Sequence, residues 1–154
     1  PSIQPVANKD LTRMVSGFGP RIHPIYKTIK HHDGMDFTAA IGTPIYATAN
    51  GTIEKSAHDR GGYGKHVIIN HGYGYKTLYA HMSKIKYKKG HHVKRGDVIG
   101  YVGNTGLSIG PHLHYEVHYN GKKENPSFYY HNDLTPEEYN KLIELASREN
   151  QSFD

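Results

Sequence analysis

Residues 111–119, PHLHYEVHY, alternate strictly between polar and apolar side chains after the initial proline. Successive side chains of a β-strand point to opposite faces of its sheet, so this pattern predicts a strand with two unlike faces. One face would carry Leu113, Tyr115, Val117 and Tyr119, and the other His112, His114, Glu116 and His118. The Asn120-Gly121 pair that follows favours a tight turn. Two imidazoles, those of His112 and His114, are therefore expected on the same face of one strand.

The residues around this strand also favour β-structure. The chain contains 17 glycines and 8 prolines, and the segments between them are short and rich in Val, Ile, Thr and Tyr. Such segments predict strands over 43–48, 52–58, 65–70, 75–80 and 97–102, with turns or loops at 50–51, 59–64, 71–74 and 103–106. We therefore expect an all-β domain of mainly antiparallel sheets.

The two ends of the chain differ from this pattern. Thr135-Pro136-Glu137-Glu138 is a capping box with proline at the first helical position, and apolar residues follow at helical spacing. One amphipathic helix is therefore predicted over 136–148. A length of 154 residues suits one compact domain. We expect an N-terminal arm over 1–15, the main domain over 16–130 and a C-terminal helical extension over 131–154.

Composition limits the chemistry that this domain can use. The chain has 13 histidines and no cysteine, which excludes disulfides, thiolate zinc sites and cysteine nucleophiles. A site for a metal such as zinc must then be built from imidazole nitrogens and carboxylate oxygens. The net charge is +5, but no helix-turn-helix, zinc-finger or aromatic RNA-binding pattern accompanies the densest basic segment, residues 84–95. We interpret that segment as a solvated basic face and expect no nucleic-acid partner. Since no apolar run is long enough to span a bilayer, we expect a soluble domain.

Two segments offer metal ligands. A hydrolytic zinc site needs about three protein ligands, an open position for water and nearby groups that move protons. His32 and Asp36 place an imidazole and a carboxylate four residues apart, with Gly34 favouring a turn between them. Composition alone would also allow His31 in place of His32. His112 and His114 offer two imidazoles on one strand face.

Several motifs occur in a fixed order along the chain. They are Ser16-Gly17-Phe18-Gly19-Pro20-Arg21-Ile22-His23-Pro24, His32-x-x-x-Asp36, Gly42-Thr43-Pro44-Ile45, Ala49-Asn50-Gly51, Tyr79-Ala80-His81, Lys94-Arg95-Gly96-Asp97 and Thr105-Gly106-x-x-x-Gly110-Pro111-His112-x-His114. Together they resemble the lysostaphin-type zinc metallopeptidases, which cut peptidoglycan cross-bridges. The resemblance covers about residues 16–121, so the predicted helix lies outside the shared core.

The resemblance implies a fold, a site and an activity. The fold would be the family's β-rich core, a barrel-sandwich hybrid. His32, Asp36 and His114 would bind zinc, and His81 and His112 would be the catalytic pair. A zinc-activated water would attack the scissile amide of a peptidoglycan cross-link, with the two catalytic histidines assisting.

The same resemblance implies substrates, a location and an alternative. The bond cut would be either a glycyl-glycine or a D-alanyl–diamino acid bond, and the tail of the chain favours the second. The location would be periplasmic or extracellular, in the cell envelope, where a segment preceding Pro1 could anchor the domain. The alternative function is a non-catalytic domain of the same fold that binds peptidoglycan or activates another wall hydrolase.

For the remaining candidate residues, either two roles are possible or a position on the surface is expected. His23, with Arg21, either lines the cleft or stabilises a turn. Glu116 and His118 are expected to be solvated, although support of a metal ligand is an alternative. Tyrosines near the cleft could form its walls, or could reflect strand propensity alone; they are Tyr26, Tyr63 and Tyr73. The histidines expected on exposed turns and strand ends are His58, His66, His71, His91, His92 and His131.

Overall fold

A computed structural model describes residues 3–7, 14–22, 29–130 and 135–147 of the chain. Within these ranges the chain is mostly β-strand, with one short 3₁₀ turn and one α-helix. The elements in chain order are β1 (Met14–Ser16), β2 (Gly19–Ile22), β3 (Ile29–His32), β4 (Met35–Thr38), β5 (Pro44–Tyr46), β6 (Gly51–Asp59), β7 (Gly64–Gly72), β8 (Tyr75–Ile85), β9 (His92–Val93), β10 (Val98–Val102), β11 (His112–Tyr119), β12 (Lys122–Glu124), the 3₁₀ turn (Pro126–Tyr129) and α1 (Pro136–Ser147).

In the part of the chain that the structure describes, ten strands form one sheet. Its main path runs in the order β1-β4-β11-β8-β7-β6-β9. β10 pairs with β5 and β8, β12 pairs with β11, and β2 and β3 form a separate hairpin. The pairings are antiparallel. The predicted all-β class with antiparallel pairing and a C-terminal helix is confirmed, and the large sheet stays open instead of closing into a barrel.

The predicted strands are present, but the ends of most of them differ from the predicted ends. β11 has the bounds that the alternation predicts, and its apolar residues Leu113, Tyr115 and Val117 lie in the core. β8 continues to Ile85, so that His81 lies within a strand and not at its end. The short strands β1 to β4, β9 and β12 were not predicted. β4 (MDFT) is buried on both faces along most of its length and therefore lacks the alternation of a half-exposed strand.

The core lies between the central strands and the segments that cover them. Phe37 of β4, Tyr79 of β8 and Leu113 of β11 are fully buried, and burial of each such side chain stabilises the fold by about 1.5–3 kcal/mol. The hydroxyl of Tyr79 lies 3.1 Å from the amide nitrogen of Thr48 and 2.9 Å from its Oγ1. These contacts satisfy polar atoms that the core would otherwise bury at a cost.

Segments near both ends of the chain contribute to this core. Glu138 N donates to Thr135 Oγ1 at 3.2 Å, and Thr135 N donates to Glu138 Oε1 at 3.0 Å. These bonds confirm the predicted capping box at the start of α1, whose Leu142 is buried in the core. Near the N-terminus, Val6 is also buried. The backbone of residues 3–7 hydrogen-bonds to residues 46 and 48.

Candidate metal centre

Sheet register brings the two predicted ligand segments together. β4 lies beside β11, with Asp36 opposite His114, and β11 also places His114 opposite Ala80 of β8. The turn at residues 33–34 joins β3 to β4 and returns His32 towards Asp36. Gly34 is required in this turn because a Cβ there would overlap the carbonyl oxygen of Tyr115. Residues 78 positions apart in the chain thereby become neighbours.

Three buried atoms that can serve as metal ligands converge at this point. Nε2 of His32 lies 3.2 Å from Oδ1 of Asp36, and Nδ1 of His114 lies 3.0 Å from the same oxygen. The three ligand atoms all lie within 4.8 Å of one another. His31, the alternative to His32, is exposed and contacts Asp33 instead.

The protonation of this cluster is suited to binding a cation. Nδ1 of His32 lies 2.8 Å from the carbonyl oxygen of Gly17, which can only accept, so Nδ1 carries the proton. Nε2 of the neutral ring is then an acceptor that faces a carboxylate oxygen, and two acceptors this close require a proton or a cation between them. A tetrahedral ion bound at about 2.0–2.1 Å would hold its ligand atoms about 3.3 Å apart. The separations from Asp36 are close to that value.

The two predicted catalytic histidines lie beside the cluster. The ring centroids of His81 and His112 are 4.8 Å apart, and Nε2 of His112 is 3.7 Å from Oδ1 of Asp36. Nδ1 of His81 donates to the carbonyl oxygen of Thr105 at 2.7 Å, and Nδ1 of His112 donates to that of Gly110 at 2.8 Å. In each neutral ring, Nε2 is therefore the nitrogen that can accept a proton.

His81 also has an unusual backbone. Its φ is +60°, a region that side-chain-bearing residues adopt infrequently. Its amide donates to the carbonyl oxygen of Tyr63 at 2.7 Å, so the ring and the backbone are both held by neighbouring loops. A strained residue held by several contacts is common in functional sites.

Glu116 is not solvated, and that prediction is wrong. Its side chain is 1% exposed. Oε2 lies 2.7 Å from Nε2 of His114 and accepts from the Tyr63 hydroxyl at 2.8 Å, and Oε1 lies 2.7 Å from Nε2 of His118. Burial alone would raise the pKa of Glu116, but the hydrogen bonds from His114 and His118 hold it well below its usual value. Burial and the Glu116 charge raise the pKa of Tyr63 to about 12, so its hydroxyl remains a donor.

The carboxylate is buried because Tyr63, from the turn before β7, and Lys123 of β12 cover this face of β11. Lys123 of β12 lies 3.7 Å from Oε1 of Glu116, and it pairs with Asp33 at 2.9 Å. His118 is mostly buried too, since it contacts Glu116. The contacts of Tyr63 and Lys123 with Glu116 were not predicted. The only sequence signal was the position of Glu116 on the same strand face as His114.

A cavity of about 240 Å³ opens beside the cluster, and His32, His114 and Glu116 line it. Tyr63 forms part of its wall, as one of the two open interpretations predicted. Tyr73 lies instead in the β7–β8 turn, where it is 97% exposed. Tyr26 and His23 lie outside the described residues, and for Arg21 only the backbone is described.

The remaining histidines mostly occupy the expected places. His58, His91 and His92 are exposed, and His131 lies outside the described residues. His66 was expected on the surface and is 2% exposed, which corrects that prediction. Its Nδ1 donates to the carbonyl oxygen of Gly64 at 2.9 Å, and the Tyr63 ring covers it at 5.4 Å. His71 is partly buried by contacts with Asn50 and Thr77.

Comparison with known proteins extends these observations. The sequence model of peptidase family M23 matches residues 30–126. A Vibrio cholerae protein named "Peptidoglycan DD-endopeptidase ShyC" is 44% identical over 118 residues, which are 76% of this chain and 27% of the relative. The chain spans about a quarter of the length of the curated relatives it matches.

Solved structures show the same similarity. A crystal structure described as a zinc-containing peptidase from Vibrio cholerae matches with a TM-score of 0.71 and 39% identity, covering 79% of this chain and 37% of that one. The catalytic domain of lysostaphin from Staphylococcus simulans matches with a TM-score of 0.66 and 33% identity, covering 73% of this chain and 87% of that domain. Among the described residues, no helix is both long and apolar enough to traverse a membrane.

Proposed function

Because the chain belongs to peptidase family M23, we propose that it is a zinc-dependent endopeptidase that hydrolyses peptide cross-links of bacterial peptidoglycan. The observation that carries this proposal is the convergence of His32, Asp36 and His114 on one buried point, with two further histidines beside it. We assign the activity to residues 16–130 and treat 131–154 as a helical extension.

His32, Asp36 and His114 would hold the zinc ion. Two imidazoles and one carboxylate are a common ligand set of hydrolytic zinc, which needs a further open position. The solved Vibrio cholerae peptidase is described as containing zinc, which supports the same metal here. When bound, zinc polarises the scissile carbonyl and makes water a stronger nucleophile at neutral pH.

His81 and His112 would move the protons of the reaction. Backbone carbonyls accept from both Nδ1 atoms, so in each neutral ring Nε2 is the nitrogen that can accept a proton. An imidazole with a pKa near 6.5 can accept a proton from the attacking water and return it to the leaving amine at neutral pH. The protonated ring also stabilises negative charge on the carbonyl oxygen.

The substrate assignment rests on the relatives. The Vibrio cholerae relative is named a peptidoglycan DD-endopeptidase, and a Neisseria meningitidis relative is named a DD-carboxypeptidase/endopeptidase. We therefore favour the D-alanyl–diamino acid bond over the glycyl-glycine bond. With peptidoglycan as its partner, the domain would act in the periplasm or outside the cell. A segment preceding Pro1 could anchor it to the envelope.

Two substitutions test the assigned roles separately. His114→Ala should remove most of the bound zinc, whereas His81→Ala should keep the zinc and lower muropeptide cleavage by about 10²–10⁴-fold. His58→Ala, at an exposed position of β6, is the matched control and should change neither quantity. Undiminished zinc in His114→Ala would refute the ligand assignment, and full activity in His81→Ala would refute its catalytic role.

A further inference from the structure

Glu116 is the buried carboxylate next to the metal cluster, and the catalytic proposal gives it no role. We propose that Glu116 is a positioning residue: it holds the proton of His114 on Nε2 and thereby leaves Nδ1 free of a proton, facing the metal site. This inference rests on the proposed function, since it concerns a metal ligand of that site.

The two nitrogens of His114 both face carboxylates. Nε2 lies 2.7 Å from Oε2 of Glu116, and Nδ1 lies 3.0 Å from Oδ1 of Asp36. A neutral imidazole has one N–H and can therefore donate to only one of the two. A metal needs the unprotonated nitrogen on the Asp36 side, because Asp36 and His32 supply the other two ligand atoms there. The proton must then lie on the Glu116 side, where the contact is shorter.

Glu116 is itself fixed, so it can impose this choice. The Tyr63 hydroxyl and Nε2 of His118 donate to it, and Lys123 lies close to its second oxygen. These donors offset the cost of burying a carboxylate. The Tyr63 ring also stacks on that of His114, with centroids 6.0 Å apart and planes 25° apart, which limits rotation of the imidazole.

The same network reaches the other ligand segment. Lys123 pairs with Asp33, which lies in the turn between His32 and Asp36. Glu116 therefore connects the ligand on β11 to the turn that positions the ligands on β3 and β4. Metal-bound histidines commonly donate their second N–H to a carboxylate, and loss of that partner typically weakens metal binding about 10–100-fold.

Without the Glu116 acceptor, His114 has a competing state. The neutral ring can place its proton on Nδ1 and donate it to Asp36, which satisfies both groups without a metal. Zinc must then displace that proton before it can bind. The expected consequence is weaker zinc binding in a protein whose fold is otherwise retained.

Two substitutions separate this role from charge and from packing. Glu116→Gln keeps an acceptor oxygen for His114 and removes the charge, whereas Glu116→Met fills similar space and removes the acceptor. Zinc affinity, measured on the full chain by competition with a chromophoric chelator, should weaken about 10–100-fold in Glu116→Met and less than about tenfold in Glu116→Gln. The same pair at Glu54, a partly exposed carboxylate paired with Lys76, should leave the affinity unchanged.

The outcomes that overturn the inference are equal losses in both Glu116 variants, or no loss in either. If Glu116→Met does not fold, ¹⁵N NMR of the metal-free wild type at a pH where the rings are neutral decides the question. A proton on Nε2 of His114 supports the inference, and a proton on Nδ1 overturns it. Failure of the wild type to bind zinc would refute the proposed function. The NMR experiment uses the metal-free protein, so it would still show which nitrogen of His114 carries the proton.

Discussion

Gly34 allows a sharp test of how the fold builds the metal cluster. The residue lies in the turn between His32 and Asp36, and a Cβ at this position would overlap the carbonyl oxygen of Tyr115 and lie 2.9 Å from Cγ of Glu116. The Tyr115 oxygen is part of the backbone of β11 and cannot rotate away. Gly34→Ala must therefore push β11 apart from the turn between His32 and Asp36, which are two of the three proposed ligands.

The size of the effect follows from this overlap. Overpacking against a fixed neighbour typically costs about 1–3 kcal/mol. Each kcal/mol lowers the melting temperature of a protein of this size by about 2–4 °C, which predicts a decrease of roughly 2–12 °C. Zinc affinity should also decrease, because the distances from His114 to the other two proposed ligands change together.

Gly61→Ala is the matched control. A Cβ at Gly61 meets no atom within 4 Å, so alanine there should leave stability unchanged or raise it by up to about 1 kcal/mol. Thermal unfolding of wild type and both variants, with zinc titration of each, measures the two effects. If Gly34→Ala were as stable as Gly61→Ala and bound zinc equally well, the proposed role of this close approach would be refuted.

Two further predictions concern stability. Tyr79→Phe removes the buried hydroxyl that accepts from the amide of Thr48, and it should lower the free energy of unfolding in urea by about 1–3 kcal/mol. Burial lowers the pKa of His71, which shares a cavity with Glu54 and Lys89. The imidazole of His71 therefore binds a proton more readily in the unfolded chain than in the folded one, so stability should decrease as the pH falls below about 6.5. The decrease should be less steep in His71→Gln, which lacks this imidazole.

Each of these predictions has a control and a contrary outcome. Tyr73→Phe removes an exposed hydroxyl and should change stability by no more than about 0.5 kcal/mol. An equal effect at Tyr73 and Tyr79 would contradict the account of the buried hydroxyl. For His71, wild type and His71→Gln are compared in urea at two values of pH on either side of about 6.5. Identical losses of stability in the two proteins would contradict the assigned burial effect.

Local pattern predicted much of the fold because its main strands have strong sequence signals. The alternation in residues 111–119 predicted the bounds of β11 and the face shared by His112 and His114. The capping box at Thr135 predicted the start of α1. Such signals involve residues that are close in the chain, so they can be interpreted without knowledge of the sheet order.

The environment of Glu116 could not be predicted in this way. Strand alternation placed Glu116 on the ligand face, but it is buried by Tyr63 of a loop 53 residues earlier and by Lys123 of β12. That burial depends on strand pairing and on the positions of loops. Both involve residues that are far apart in the chain, so a local sequence pattern does not indicate them. β3 and β4 were missed because they are short and because β4 is buried on both faces. His81 was identified only through the resemblance to a known family, because the local pattern places it directly after the predicted strand over 75–80 and gives it no role.

Digestion of purified cross-linked peptidoglycan tests the central claim most directly. The zinc-loaded chain is incubated with intact sacculi, with and without a chelator, and the new termini are assigned by mass spectrometry. The expected result is cleavage at the D-alanyl–diamino acid bond, which stops on chelation and returns when zinc is added back. Sacculi that bind the folded, zinc-loaded protein but keep their cross-links, or cleavage that continues at full rate without metal, would contradict the proposal.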